Sequence, residues 1–210
     1  EATWIGVTLE KLFQQTYNNF EIIIVDSGSR DDTLRIARRF PVSIFEIPPE
    51  DFSYPYALNY GIARSSATHY VAIMSAHSIP ISSTWLYDGV TQLRRRADCL
   101  GVYGYLIPLP HASFWDNVII RSRNFFSPPR EIVVIKPGMG VLGFTNALIR
   151  KDLWVQRQFN EAYGAGGEDG EWAAHWLGKG CVAVKDPKFT VRHSHNLGLR
   201  GWYQQYRYWQ

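Results

Sequence analysis

A run of β-branched residues, 22–25, most constrains the fold, because it is apolar on both faces and ends directly at Asp26. A strand without polar alternation is buried on both sides, as the strands of parallel sheets are. Similar apolar runs occupy residues 42–47, 70–74 and 100–107, and segments with helical spacing separate them. This alternation predicts an α/β fold, a Rossmann-type, mostly parallel sheet flanked by helices, with right-handed crossovers.

The helices and strands predicted from the rest of the sequence belong to a single domain, residues 1–210. Helices are predicted over residues 4–15, 31–40, 56–66, 84–96, 114–126, 168–177 and from 199 to the end. Shorter strands are predicted over residues 145–149, 181–184 and 190–193. Residues 127–143 contain three Pro and three Gly without a clear period, and predict a long loop. Because the sequence opens on a helix, one expectation is that the first strand of the sheet is missing from it.

Composition excludes several classes of protein. With 46% apolar residues among 210, the chain can bury a full core. A formal net charge of only +3 gives no reason to expect nucleic acid as a partner. No apolar run approaches the length of about 18–20 residues that a membrane span needs, and the two cysteines fit a reducing compartment. These features predict a cytoplasmic protein and leave attachment to the inner face of the membrane open.

Polar clusters follow two of the predicted strands. They are Asp26-Ser27-Gly28-Ser29 and Ser75-Ala76-His77. Ligands of open α/β sheets bind at the carboxyl ends of the strands, so these clusters predict a nucleotide site. The alternative is that Asp26 and Ser29 only turn and cap the chain.

The motifs occur in an order that resembles family 2 glycosyltransferases, which have the GT-A fold. Residues 15–29 (QTYNNFEIIIVDSGS) with Asp31-Asp32-Thr33 resemble the family's N-terminal signature. Residues 57–61 (ALNYG) resemble its Ala-Arg-Asn-x-Gly helix, 70–77 its strand leading to Asp-x-Asp, and 167–172 (GEDGEW) its Glu-Asp motif. His193-Ser194-His195 matches its late histidine. Within the family, the chain is most similar to bacterial enzymes of surface polysaccharide assembly, including rhamnosyltransferase-like members.

The resemblance implies an inverting, hexosyl-transfer type of enzyme that moves a sugar from a nucleotide-diphosphate-sugar donor to an acceptor hydroxyl. Residues 1–107 would form the nucleotide-binding half and 108–210 the acceptor and catalytic half. Asp169 would be the general base, with Glu168 as its orienting partner or as the base itself; the alternative is that both only cap a helix. The implied nucleotide-binding residues are Asp26, Ser27, Gly28, Ser29, Asn59, Ser75 and Ala76.

The chain departs from the family where Ser75-Ala76-His77 replaces Asp-x-Asp, whose second Asp usually binds a divalent metal. Imidazole suits Mn²⁺ and other transition metals better than Mg²⁺. Two alternatives follow: a Mn²⁺-type site that uses His77, His193 and His195, or catalysis without a metal. Since the Asp-x-Asp is missing, a catalytically inactive module that binds sugar nucleotides or glycans is the alternative function. A dinucleotide oxidoreductase is disfavoured, because no Gly-x-Gly-x-x-Gly directly follows a predicted strand.

The implied partners are a nucleotide-sugar donor and a glycan or lipid-linked acceptor, with no nucleic acid. The predicted final helix is rich in aromatic residues and Arg. Such a helix either rests on a membrane surface or packs on the domain or on a second subunit of a homodimer.

Overall fold

The computed structural model describes residues 1–164 and 166–208, which form an α/β fold. The helices are α1 (Ile5–Phe13), α2 (Thr33–Ala37), α3 (Tyr54–Ala63), α4 (Trp85–Arg95), α5 (Phe114–Phe126), α6 (Lys151–Gln156), α7 (Glu168–Gly178) and α8 (Leu199–Tyr208). The strands are β1 (Ile23–Asp26), β2 (Ser43–Glu46), β3 (Tyr70–Met74), β4 (Ile79–Pro80), β5 (Cys99–Tyr103), β6 (Leu106–Ile107), β7 (Ile132–Val134), β8 (Asn146–Arg150), β9 (Val182–Lys185) and β10 (Val191–Arg192).

The central sheet has five strands in the order β3-β8-β5-β9-β7. β5 and β9 are parallel, whereas β8 runs antiparallel to both β3 and β5, and β7 runs antiparallel to β9. A parallel pair, β1-β2, and a small sheet, β4-β10-β6, complete the strands of the described residues. The central sheet is therefore mixed, and it interleaves strands from residues 1–107 and 108–210.

Helices cover both faces of the central sheet. Alternate residues of the strands point to opposite faces, so Ile149 packs in one core cluster and Leu148 in the other. The first cluster contains Trp172 and Trp176 of α7, and the second contains Trp85 of α4 together with residues of α1. This layered packing fixes α7 against the sheet, which positions the residues at its N-terminus.

Several elements match the sequence prediction, and three differ. α5 and β3 have the predicted bounds. The predicted strand 100–107 is divided into β5 and β6 at Gly104, where a Cβ would lie 1.5 Å from the carbonyl oxygen of Phe189. The predicted loop 127–143 contains β7, and the sequence did not indicate β4. The predicted final helix extends to Tyr208, and its last two predicted residues lie outside the described residues.

Across the part of the chain that the structure describes, no helix combines the length and apolar character that crossing a bilayer requires.

Candidate active site

Two chain segments meet at one edge of the central sheet. Met74, the last residue of β3, pairs with Asn146, the first residue of the antiparallel β8. The segment after β3 therefore lies beside the segment before β8. The backbone N–H of Ser75 donates to the carbonyl oxygen of Thr145 at 3.4 Å, and Ser78 Oγ donates to the same oxygen at 2.8 Å.

Three histidines gather at this edge. The ring of His77 stacks on that of His193 with 4.5 Å between centroids, and the ring of His195 is nearly perpendicular to that of His193, with centroids 4.6 Å apart. One nitrogen from each of the three lies within 4.8 Å of the others. The structure thus brings together the three residues that the sequence indicated as metal ligands.

Hydrogen bonds fix which nitrogen of His193 carries the proton. Since Ser78 Oγ uses its proton on Thr145, it accepts from His193 Nδ1–H at 3.2 Å. The lone pair of His193 Nε2 then faces His195 Nε2, 3.1 Å away. Burial and the neighbouring imidazoles of His77 and His195 lower the pKa of His193 to about 2, so this ring is neutral.

The ring of His77 also has one nitrogen in contact with a partner and one without, in the part of the chain that the structure describes. His77 Nδ1 lies 3.0 Å from the carboxylate oxygen Oε2 of Glu1, while its Nε2 is buried and has no hydrogen-bond partner among the described residues. Burial, and then His77, lower the pKa of His195. Neutral imidazoles are the form that binds metal ions.

This donor set fits a divalent transition metal. A buried nitrogen without a partner and two facing Nε2 atoms are what a cluster of ligands presents to an ion. The Ser78 and Glu1 contacts to the opposite nitrogens are of the kind that orient ligating histidines. Three nitrogen donors suit Mn²⁺, Co²⁺ or Zn²⁺ and are poorly matched to Mg²⁺, which prefers oxygen.

Asp169 lies in the first turn of α7, after Gly167, whose positive φ of 99° suits glycine. Its Oδ1 accepts from the N–H of Gly170 at 2.7 Å, and its Oδ2 accepts from the N–H of Phe144 at the long distance of 3.4 Å. Burial raises the pKa of this carboxyl group. Asp169 therefore has weak support for its negative charge and a raised affinity for a proton.

Glu168 precedes Asp169 and is 5% exposed. Its Oε2 is buried without a hydrogen-bond partner among the described residues. Burial, with a smaller contribution from the charge of Asp169, raises the pKa of Glu168 to about 6. A buried polar atom without a partner is costly, and carboxyl groups with strongly raised pKa values are concentrated at functional sites.

Residues 143–145 join the carboxylate to the histidines. Phe144 donates to Asp169, and its neighbour Thr145 accepts from Ser78, which in turn holds His193. Asp169 and Ser78, which are far apart in sequence, thus contact consecutive residues of one backbone segment.

Asp26 ends β1 and is buried. Its Oδ2 accepts from the N–H groups of Gly28 and Ser29, both at 2.9 Å, which forms a tight turn. Gly28 has a φ of 94°, and a Cβ there would lie 2.7 Å from the ring of Pro49. The loop after β1 is linked to the histidines indirectly: Asp31 accepts from the N–H of Ala2, and the adjacent Glu1 contacts His77.

Asn59 has a structural role, so its predicted contact with a nucleotide is not supported. Its Oδ1 accepts from Trp154 Nε1 and from the N–H of Phe159, while its Nδ2 donates to the Phe159 carbonyl and to Glu161 Oε1. These four bonds use the full hydrogen-bonding capacity of the amide. The side chain holds α3, α6 and residues 159–161 together.

Sequence reasoning missed Ser78, Phe144 and Thr145. Ser78 follows His77 directly, and a hydroxyl beside a candidate ligand is a usable signal for a supporting residue. Phe144 and Thr145 act through their backbone atoms, and their side chains gave no signal.

The model of the family described as "Glycosyl transferase family 2" matches residues 1–155. The chain belongs to glycosyl transferase family 2. The matched region of this family 2 chain contains Asp26 and His77 and ends before Asp169, His193 and His195.

Two curated relatives are similar over nearly all of the family 2 chain. An O-antigen chain rhamnosyltransferase, RfbN, of Salmonella typhimurium is 26% identical over 98% of this chain and 66% of the relative. The rhamnosyltransferase WbaN of Salmonella anatum is 26% identical over 92% of this chain and 62% of the relative. The chain thus spans slightly less than two thirds of the length of these relatives.

Solved structures show the same fold. The mannosyltransferase PcManGT from Pyrobaculum calidifontis, in complex with GDP-Man and Mn²⁺, superposes with a TM-score of 0.71 at 20% identity, covering 98% of this chain and 56% of that one. GalNAc-T7 with UDP, GalNAc and Mn²⁺ superposes with a TM-score of 0.66 at 14% identity, covering 90% of this chain and 41% of that one. The predicted GT-A-type α/β fold is confirmed.

Proposed function

We propose that this family 2 chain is an inverting glycosyltransferase that moves a sugar from a nucleotide-diphosphate-sugar to an acceptor hydroxyl in cell-surface polysaccharide synthesis. One observation carries the proposal: Asp169 bonds to Phe144, and Ser78, which contacts His193 of the histidine cluster, bonds to the adjacent Thr145. A base for the acceptor and a cation site for the leaving diphosphate are the two groups that such a transfer needs. The similarity to relatives named as O-antigen rhamnosyltransferases supports a role in cell-surface polysaccharide synthesis.

Asp169 is proposed as the general base. An acceptor hydroxyl becomes a nucleophile as its proton leaves, which requires a carboxylate within hydrogen-bond reach. Burial raises the pKa of Asp169 and so brings its basicity closer to neutral pH. Glu168 is proposed as its partner, and its unpartnered Oε2 keeps it as the alternative base.

His77, His193 and His195 are proposed to hold a divalent metal, Mn²⁺ in preference to Mg²⁺. When bound, such an ion would neutralise the charge that develops on the diphosphate. The protein contributes three imidazoles, one of them oriented by Ser78 and one by Glu1.

The polar clusters after β1 and β3, at residues 26–29 and 75–77, are proposed to bind the nucleotide. Asp26 would accept hydrogen bonds from the base or ribose, and small side chains let the backbone approach the ligand. The proposed contacts come from Asp26, Ser27, Gly28, Ser29, Ser75 and Ala76. A glycan or lipid-linked acceptor, contact with the inner face of a membrane and a homodimer remain predictions.

A paired binding and turnover experiment tests the proposed function. Thermal unfolding is measured with nucleoside diphosphates, with and without Mn²⁺ or Mg²⁺, and release of the diphosphate is followed with a panel of donors. Ligand at a hundred times its Kd stabilises the native state by about 2.7 kcal/mol. We expect His193→Ala to abolish the Mn²⁺ effect and His69→Ala, a change of an exposed histidine outside the cluster, to preserve it.

Each result bears on a different part of the proposal. If Mn²⁺ still stabilises the His193→Ala variant, the histidine cluster is not the metal site. Stabilisation by nucleotide without turnover of any donor would favour the binding-module alternative, which the replacement of Asp-x-Asp by Ser75-Ala76-His77 suggests.

A further inference from the structure

The exposed side of α5 is unusually apolar for the surface of a globular chain. Phe114, Phe125 and Phe126 are 71%, 78% and 83% exposed, and Trp115 and Val118 are 37% and 41% exposed. We name these five residues the α5 face. The aromatic residues lie in pairs at the two ends of the helix, about 16 Å apart at 1.5 Å per residue. Contiguous exposed apolar side chains of this kind mark interaction surfaces.

The exposed charges of residues 111–130 have one sign, and the next carboxylate along the chain, Glu131, accepts a bond from Gln92 at 2.6 Å. Arg121, Arg123 and Arg130 are exposed, and the only acidic residue between positions 111 and 130 is Asp116, which is fully buried. Asp116 accepts bonds from Trp202 Nε1 at 2.6 Å and from the N–H of Asn196 at 2.7 Å. The surface therefore presents cations without a compensating exposed carboxylate on this segment.

The same bonds attach α8 beside α5. Ser113 Oγ also donates to the carbonyl oxygen of Leu197, the residue two positions before α8. In α8, Leu199 and Tyr203 are 55% and 61% exposed, Arg200 is exposed, and the helix contains no acidic residue. α8, which is bonded to α5 through Asp116, thus also exposes apolar and cationic side chains.

A groove of about 470 Å³ adjoins Phe125. Its lining combines two guanidinium side chains with apolar ones, and consists of Ile107, Pro108, Arg121, Asn124, Phe125 and Arg192. Arginine pairs well with phosphate oxygens, so this groove can take the phosphate of a lipid headgroup while its apolar walls contact the upper acyl chain.

We propose that the α5 face docks on a bilayer that contains anionic phospholipid, with α5 lying in the plane of the interface. Aromatic side chains insert at the boundary between headgroups and acyl chains, and arginines contact the headgroup phosphates. A bilayer fits better than a protein partner, because Arg121 and Arg123 lie between the two aromatic pairs in the sequence and residues 111–130 expose no carboxylate. The proposal is independent of sugar transfer and can be tested without a donor.

Vesicle flotation with the full chain tests the docking. Vesicles of phosphatidylcholine are compared with vesicles in which about one third of the lipid is phosphatidylglycerol, at low and high salt. We expect binding to the anionic vesicles only, weakened by salt. The double variant Phe125→Ser/Phe126→Ser should lower partitioning at least about tenfold, because two aromatic insertions are lost. Arg121→Gln/Arg130→Gln should lower it by a similar factor.

The matched control lies on α4, where Tyr87 is 55% exposed and Arg94 is exposed. Tyr87→Ser/Arg94→Gln should leave partitioning unchanged. Because all these side chains are exposed, thermal unfolding should be unaffected, which separates loss of docking from loss of folding. Equal losses in the control and the α5 variants would overturn the proposal.

Two further outcomes would also overturn it. One is equal binding to neutral and anionic vesicles, since the cations would then be irrelevant. The other is self-association in the absence of lipid that Phe125→Ser/Phe126→Ser abolishes, since a second copy would then cover the face. Quenching of Trp115 fluorescence by brominated lipid, lost in Trp115→Phe, would confirm that the face enters the bilayer.

Discussion

Two aspartates in the first turn of two helices, Asp116 in α5 and Asp169 in α7, have opposite surroundings. Asp116 is fully buried, and both of its oxygens accept short bonds, at 2.6 and 2.7 Å, from residues about 80 positions away. Asp169 accepts a bond from its own neighbour Gly170, and its other oxygen has only the 3.4 Å contact with Phe144. One carboxylate is fully used by the fold, and the other is left with an affinity for a proton.

The N-terminal caps of the two helices also differ, since α5 has a side-chain cap and α7 has none. Ser113 Oγ accepts from the N–H of Asp116 and closes the first turn of α5, whereas Gly167 provides no side-chain cap to α7. Helix N-termini stabilise nearby negative charge in both places. Position in a helix therefore does not distinguish a structural carboxylate from a reactive one. The two are distinguished by the hydrogen bonds that the carboxylate receives from residues elsewhere in the chain.

The largest effect is expected from Asp169→Asn. If Asp169 is the base, kcat should fall by about 10²–10⁴-fold, while the free energy of unfolding changes little. The comparison variant, Asp116→Asn, should retain turnover per folded molecule. Steady-state kinetics at matched folded concentrations check both. Comparable turnover in Asp169→Asn and the wild type would assign the role of base to Glu168 or end the proposal.

Asp116→Asn should instead lower stability. The amide would place N–H protons against the donors of Trp202 or Asn196, so a buried, charge-assisted bond is lost and a donor is left unpaired. We expect a loss of about 3 kcal/mol in the free energy of unfolding, measured by urea denaturation. A loss below about 1 kcal/mol would show that Asp116 does not organise the junction of α5 and α8.

Glu168→Gln should stabilise the chain at neutral pH. The pKa of Glu168 is raised from 4.5 to about 6 in the folded state, so its ionisation opposes folding by about 2 kcal/mol above pH 6. The stability of the wild type should therefore be highest, with respect to this group, below pH 4.5, and should decrease as the pH rises to about 6. Thermal unfolding across this range should show the gain of Glu168→Gln at pH 7 and its disappearance at pH 4. A gain that is independent of pH would contradict this explanation.

The smallest effect is expected from Trp202→Phe, which removes the 2.6 Å bond to Asp116 and leaves an aromatic ring in place. The loss should be about 1.5 kcal/mol. In the double variant with Asp116→Asn the two losses should not add, because they remove the same bond. Additive losses would mean that the indole stabilises α8 mainly through packing.

Local signals explain what the sequence predicted well. β3 is five consecutive residues bounded by polar ones, and α5 begins after Ser113, whose hydroxyl caps it, so their bounds follow from neighbours in the chain. The gathering of His77, His193 and His195 followed from motif order, because each residue ends or follows a predicted strand. Their role as metal ligands stays a prediction.

Non-local contacts explain what could not be predicted. The three residues of β7 are recognisable as a strand only through their pairing with β9, about 50 positions later. The antiparallel direction of β8 depends on its partners β3 and β5. Asn59 and Asp116 are structural because of bonds from residues 80–102 positions away, which no local pattern indicates.

The segment 143–145 limits which substitutions the site can accept. The antiparallel β8 starts at the edge where β3 ends, so a single stretch of backbone sets the position of both the carboxylate and the imidazoles. A substitution that displaces this stretch moves both groups at once. Effects of paired substitutions around it should therefore be strongly non-additive, and variants that improve the geometry of one group will often disturb the other.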